Sequence, residues 1–248
     1  VRLVLSAGAP VPVSLLEEAA RLFPHASLRT PYGMTEALPV AEARLEDIRL
    51  QGVGEGVFVG DPLPGVEIAI AVLDPLGIPS DHLVSDSLVT GEIAVRAAHI
   101  REGYDRLWAT TMRASRNAGW HRTGDVGHID TDGHLWVEGR LAHVITTAHG
   151  PLTPVALEQR AIAGGALNAA CVGVGPVGSQ QAVLILEESG ASHLVGAAAA
   201  DHFRAACSYP FAAVMRMDRL PVDIRHNSKI DRTALSAWAT EILGGALG

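Results

Sequence analysis

The sequence predicts an α/β layer, a β-rich subdomain and then a small α+β domain. An apolar run at residues 2–5, apolar residues at helical spacing over 14–23 and a second apolar run at 27–29 give the strand–helix–strand order of an α/β layer. From residue 65 to 136 the pattern changes to short alternating runs separated by glycine, proline and aspartate, which is typical of strands joined by tight turns. Strand and helix patterns alternate again after Gly139.

The last part of the chain has the clearest order of elements. We expect, in order, a strand at 143–147, a helix at 155–162, strands at 169–174 and 182–186, a helix at 191–206, a strand at 213–217 and a helix at 228–243. We therefore expect two domains, residues 1–140 and residues 141–248, each of a usual domain size.

The composition excludes several classes of function. With 27 acidic and 19 basic residues the formal charge is −8, which argues against a nucleic-acid or anionic-lipid partner. Cys171 and Cys207 have neither disulfide nor zinc spacing, and the first residues lack the features of a signal peptide, so we expect a reducing, cytoplasmic location. Glycines interrupt the uncharged stretch at 161–182, so we expect no stable membrane insertion.

Two segments of the first domain carry candidate binding groups. The small-residue turn Gly8-Ala9-Pro10 leaves the first strand, and its missing side chains allow a planar or anionic ligand close to the backbone, although a plain tight turn is the alternative. The segment Tyr32-Gly33-Met34-Thr35-Glu36 places an aromatic ring, a hydroxyl and a carboxylate within five residues that we expect to form a loop. A carboxylate there is a candidate ligand for magnesium, which prefers oxygen ligands. The alternative is that the segment is only a capped loop with no bound ligand.

Three further segments contribute one charged group each. We expect residues 121–127 to form a turn between strands, in which Asp125 accepts the hydroxyls of a ribose or simply caps the turn. Arg140 follows Gly139 at the change of domain, where an arginine can contact ribose or phosphate. Lys229, the only lysine beside 18 arginines, lies in the segment that opens the last expected helix, where its ammonium group can reach a developing negative charge.

Taken in order, these segments resemble the adenylate-forming superfamily, which includes acyl-CoA synthetases, luciferases and the adenylation domains of nonribosomal peptide synthetases. The resemblance also includes Gly91-Glu92-Ile93 and residues 101–104, which match a family GEI…RGY segment. It implies that residues 1–140 are the C-terminal part of a large AMP-binding domain and that residues 141–248 are a small lid domain. A serine- and glycine-rich phosphate loop is absent from this sequence, so we expect these residues alone to be inactive.

The resemblance also implies roles for the candidate residues, with ATP, AMP and Mg²⁺ as cofactors. A carboxylate would attack the α-phosphate of ATP, and a second nucleophile would displace AMP from the acyl-adenylate. The implied catalytic residues are Lys229, Thr35 and Glu36, with Glu36 also as the metal ligand; the implied cofactor-binding residues are Gly8, Ala9, Pro10, Tyr32, Gly33, Asp125 and Arg140.

Within the superfamily, residues 32–39, 147–150 and 221–230 are most similar to the β-lactone synthetases of bacterial olefin biosynthesis. That similarity implies that the β-hydroxyl of a long-chain 2-alkyl-3-hydroxy acid is the second nucleophile, and that other enzymes of olefin biosynthesis are partners. A fatty acyl-CoA ligase or fatty acyl-AMP ligase remains an alternative, with a fatty acid as substrate. A degenerate scaffold or partner subunit is the alternative without catalysis.

Overall fold

The chain folds into two compact units. The computed structural model describes residues 1–8, 10–51, 55–101, 107–190, 192–222 and 229–244. Unit 1 comprises Val1–Leu73 and Pro79–Glu138, and unit 2 comprises Asp74–Ile78 and Gly139–Gly248. The assignment of residues 1–140 and 141–248 to two functional domains stays a prediction.

Unit 1 is built on an eight-stranded sheet. Its elements are β1 (Leu3–Leu5), α1 (Val13–Leu22), β2 (Ser27–Met34), β3 (Ala37–Arg44), α2 (Leu45–Gln51), β4 (Val57–Pro62), β5 (Glu67–Val72), β6 (Gly91–Arg96), α3 (Trp108–Ala114), β7 (His121–Ile129) and β8 (Leu135–Arg140). The strand order is β1-β2-β3-β4-β8-β7-β6-β5. β1 and β2 pair in parallel, as a strand–helix–strand connection requires.

Among the described residues, three apolar clusters stabilise this sheet, the smallest of them around Phe58 and Trp136. Leu16 of α1 packs with Leu28 and Leu45, so the helix covers the first strands. The second cluster fills the β-rich part and includes Ile70 and Ile93, both fully buried. Alternation along β5 and β6 brings these residues to the same face, because successive strand side chains point to opposite faces.

In the residues that the structure describes, unit 2 combines two small sheets with three α-helices. After a 3₁₀ turn at Leu141–His143, its elements are β9 (Ile145–Thr147), β10 (Gly150–Leu152), α4 (Pro154–Ala163), β11 (Ala169–Val174), β12 (Gln181–Glu187), α5 (Ala197–Cys207), β13 (Ala213–Met217) and α6 (Arg232–Leu243). The main sheet has the order β11-β12-β13. Neighbouring residues of β12 serve two cores: Leu184 packs with Leu157 of α4, and Ile185 packs with Leu235 of α6.

The predicted fold class is confirmed, and two helix starts are corrected. The helix expected from residue 191 begins at Ala197, because Leu194 is extended and pairs with Met215 while Gly196 occupies the N-cap position. The helix expected from residue 228 begins at Arg232, because the Asp231 carboxylate accepts the Ala234 N–H and caps it there. In the described part of the chain, every helix is too short or too polar to span a bilayer.

Candidate functional site

The segment expected as a loop at residues 32–36 is largely strand. Tyr32 and Gly33 belong to β2, and Met34 pairs with Ala37 of β3 across a two-residue turn. The register shifts between Tyr32 and Met34, so the strand bulges there. A side chain at Gly33 would place its Cβ 2.6 Å from the Ala37 carbonyl oxygen, so this tight hairpin requires glycine.

The segment expected as a turn at residues 121–127 is also strand, because β7 runs through it. Opposite Gly124 the register with β6 shifts: Arg122 pairs with Ala94, and Val126 pairs with Glu92. Three residues of β7 therefore stand opposite one residue of β6. Gly124 has a φ of +72°, a left-handed conformation that favours glycine, and this is why the bulge forms there.

Side chains replace the ladder hydrogen bonds that the β7 bulge loses. The Gly124 N–H donates to Oε1 of Glu92 at 3.2 Å, and the Asp125 N–H donates to Oγ1 of Thr123 at 3.0 Å. The Thr123 hydroxyl in turn donates to the Ile93 carbonyl at 2.9 Å. The threonine, glycine and aspartate of this segment thus form one hydrogen-bonded unit that presents Asp125.

The hairpin and the bulge meet at Tyr32 and Asp125. The Tyr32 hydroxyl donates to Oδ2 of Asp125 at 2.7 Å, although 93 residues separate them in the sequence. Asp125 is 8% exposed. A carboxylate held by a phenol in this way is pre-oriented for hydroxyl groups of a ligand, because an ionised carboxylate only accepts hydrogen bonds.

Glu36 lies beside a cavity of about 280 Å³ in unit 1. Arg101, Trp120 and His121 also line it, and the Arg101 N–H donates to the Glu36 carbonyl. Burial lowers the pKa of His121, and the negative charge of Glu36 opposes that shift. The cavity therefore combines a carboxylate with an imidazole whose neutral form burial favours. Sequence reasoning missed His121 as a member of the site.

The remaining predicted residues of unit 1 lie at the surface. The backbone bends at Gly8, which follows β1 by three residues and has a φ of +103°, a conformation that favours glycine. Pro10 and Thr35 are exposed, and Thr35 shares the β2–β3 turn with Glu36. Ala9 lies outside the described residues.

Arg140 is the exposed last residue of β8, a strand that begins in unit 1 and whose final two residues belong to unit 2. Gly139 precedes it with a φ of +143°, a conformation almost closed to other residues. Burial lowers the pKa of His143, and the positive charges of Arg232 and Arg140 lower it further. Gly139 therefore gives the backbone just before Arg140 a conformation that favours glycine, and the charges of Arg140 and Arg232 both act on His143.

Lys229 is exposed and stands at the start of a fixed segment of unit 2. Its neighbour Ile230 pairs with Val222, and the Asp231 N–H donates to the Pro221 carbonyl at 2.8 Å. These contacts hold the backbone on the C-terminal side of Lys229 in place.

A possible metal group at Asp130, Asp132 and His134 is better explained as a turn. Oδ1 of Asp130 accepts the N–H groups of Asp132 and His134, both at 2.9 Å. Its Oδ2 accepts Nε1 of Trp136 at 2.9 Å. Both oxygens thus cap the β7–β8 connection, and we assign no metal to them.

Comparisons with known proteins show the family of this chain. The family of AMP-binding enzymes matches residues 1–105. Olefin beta-lactone synthetases from Xanthomonas campestris pv. campestris and Stenotrophomonas maltophilia are 36% and 38% identical to this chain and cover 97% and 96% of it. The chain belongs to the adenylate-forming family of AMP-binding enzymes. It spans about half of each relative, 47% in both cases.

A solved member of this family has the same fold. The structure of O-succinylbenzoate coenzyme A synthetase from Bacillus subtilis in complex with AMP has a TM-score of 0.70 and 26% identity. The alignment covers 95% of this chain and 46% of that protein. The adenylate-forming fold therefore extends through both units described above.

Proposed function

We propose that the protein carrying this chain activates a carboxylic acid with ATP and converts it to a β-lactone. Its substrate would be a long-chain 2-alkyl-3-hydroxy acid, whose carboxylate attacks the α-phosphate of ATP and releases pyrophosphate. The β-hydroxyl then attacks the acyl carbonyl, AMP leaves, and the four-membered ring closes. The observation that carries this proposal is the similarity to two olefin beta-lactone synthetases along nearly the whole chain.

The contacts in unit 1 support a nucleotide site at Asp125. In this scheme Asp125 accepts the ribose hydroxyls, and the hydrogen bond from Tyr32 holds its carboxylate in place. The segment Gly8-Ala9-Pro10 would lie against the adenine. These parts bind and orient the nucleotide, and orientation supplies much of the acceleration in such transfers.

Glu36 fits a magnesium ion bound with ATP. Its side chain is an oxygen donor at the edge of a cavity, which suits a cation that keeps several waters and substrate phosphates as ligands. When bound, the ion would neutralise phosphate charge, with Thr35 beside it to bond a phosphate oxygen. Glu36 would hold the ion, and the chain's other residues would bind and orient the acid and the nucleotide.

Arg140 and Lys229 would supply positive charge from unit 2. The Arg140 guanidinium would contact ribose or phosphate. The compact ammonium of Lys229, on a flexible stem, would offset the charge that develops on carboxylate and α-phosphate oxygens.

The test is a product analysis of the complete protein. It is incubated with ATP and a 2-alkyl-3-hydroxy acid, with and without coenzyme A, and the products are identified by mass spectrometry. We expect β-lactone, AMP and pyrophosphate in equal amounts with or without coenzyme A. Acyl-CoA that forms only when coenzyme A is added would instead support an acyl-CoA ligase, and release of acyl-adenylate alone would support an acyl-AMP ligase.

A further inference from the structure

A buried carboxylate lies directly behind the bulge that presents Asp125. Glu92, on β6, is only 5% exposed. Its Oε1 accepts the Gly124 N–H at 3.2 Å, and its Oε2 lies 3.4 Å from Nε of Arg122. Burial of an ionised carboxylate is costly unless charge and hydrogen bonds compensate it, and Glu92 has both.

Arg122 is the counter-ion of Glu92, and it is even more deeply buried. Its side chain is 1% exposed, and its Nη2 donates to the Ser80 carbonyl at 2.6 Å. Its Nε and Nη1 have no hydrogen-bond partner in the part of the chain that the structure describes. Arg116 also approaches, with Nη2 3.7 Å from Oε2 of Glu92. A buried pair of this kind adds little net stability over apolar side chains of similar volume.

The distinctive effect of Glu92 is therefore local. Gly124 is left-handed and cannot use the β6 backbone as its acceptor at the bulge. Without Glu92, its N–H would lose this protein acceptor at a half-buried point of β7, and glycine would relax to other conformations. Asp125 is the next residue, so any relaxation of Gly124 reorients the carboxylate that Tyr32 holds.

We propose that Glu92 is a positioning residue that acts through the Gly124 N–H to hold Asp125 in its nucleotide-binding orientation. Arg122 neutralises Glu92, so that an acceptor oxygen can stand at this buried point. The inference rests on the proposed function, in which Asp125 binds the ribose.

Two double variants of the complete protein isolate the hydrogen bond from the ion pair. Glu92→Gln/Arg122→Met removes both charges but keeps an oxygen for Gly124, whereas Glu92→Met/Arg122→Met removes the charges and the oxygen. AMP affinity is measured by calorimetry, and folding is checked by thermal melting. We expect the glutamine variant to bind AMP within about threefold of wild type and the methionine variant to bind about tenfold more weakly.

The outcomes separate this inference from the proposed function. Equal AMP affinity of the two double variants overturns the positioning role of Glu92, even where both melt at lower temperature. Should the methionine variant not fold, Glu92→Asp replaces it, because the shorter side chain keeps the charge but withdraws the oxygen from Gly124; wild-type affinity then overturns the proposal. AMP binding by wild type that Asp125→Ala leaves unchanged overturns the proposed ribose site, and the positioning role with it.

Discussion

Replacing Glu158 by glutamine should destabilise unit 2 strongly, because it removes one partner of a buried ion pair. Oε1 and Oε2 of Glu158 accept hydrogen bonds from Nε and Nη2 of Arg232 at 3.0 and 2.5 Å. Oε1 also accepts a hydrogen bond from the Cys171 N–H at 2.9 Å. The two side chains are 8% and 17% exposed. Removing one partner of such a pair costs about 3–5 kcal/mol of unfolding free energy, and lowers the melting temperature by roughly 10 °C or more. The same change should reduce activity, because Arg232 follows Lys229 by three residues.

An exposed pair of the same geometry provides the control. Arg49 donates to Glu17 through Nε and Nη2 at 2.7 and 2.6 Å, but these side chains are 48% and 39% exposed. Because water screens an exposed pair, Glu17→Gln should leave the urea midpoint, followed by circular dichroism, nearly unchanged. The double variant Glu158→Gln/Arg232→Met should regain most of the stability lost. Equal midpoints for Glu158→Gln and Glu17→Gln would refute the reasoning.

Three further predictions concern the site and its pH dependence. Tyr32→Phe removes the hydrogen bond to Asp125 and should weaken AMP binding about tenfold in calorimetry, whereas Tyr209→Phe in unit 2 should not. Because the folded-state pKa of His143 lies below its ordinary value of 6.5, its contribution to stability is complete above that pH and is lost as the pH falls from there to the folded-state pKa. His143→Gln should make the unfolding free energy less dependent on pH in this range. An unchanged slope would show that another group causes the pH dependence. Lys229→Arg should slow pyrophosphate release by about 100-fold or more without lowering the melting temperature, since Lys229 is exposed; near-wild-type rates would remove Lys229 from the mechanism.

The sequence predicts the layers of this fold because apolar periodicity reports burial directly. It does not predict the β7 bulge, because a bulge depends on the register with a partner strand, here the pairing of Glu92 with Val126. A glycine between threonine and aspartate has the same local pattern in a turn and in a bulged strand. The error in the expected secondary structure at residues 121–127 has this origin.

The candidate site residues can be predicted one by one from the sequence, but their contacts cannot. Tyr32 and Asp125 each stand out in the sequence by their neighbours, but nothing local joins them across 93 residues. Glu92 and Arg122 are harder to predict as buried residues. A charged residue in an apolar strand is expected to face solvent unless its ion-pair partner is known. The helix that follows Lys229 starts late for a local reason, because the Asp231 cap sets its first residue.

Isotope transfer tests the proposed chemistry most directly. The complete protein is supplied with ATP and a 2-alkyl-3-hydroxy acid labelled with oxygen-18 at both carboxylate oxygens, and AMP and lactone are analysed by mass spectrometry. Activation of the carboxylate followed by attack of the β-hydroxyl leaves one labelled oxygen in AMP and one in the lactone carbonyl. Unlabelled AMP with both labels in the lactone would show that the hydroxyl, not the carboxylate, is activated, and would contradict the acyl-adenylate route.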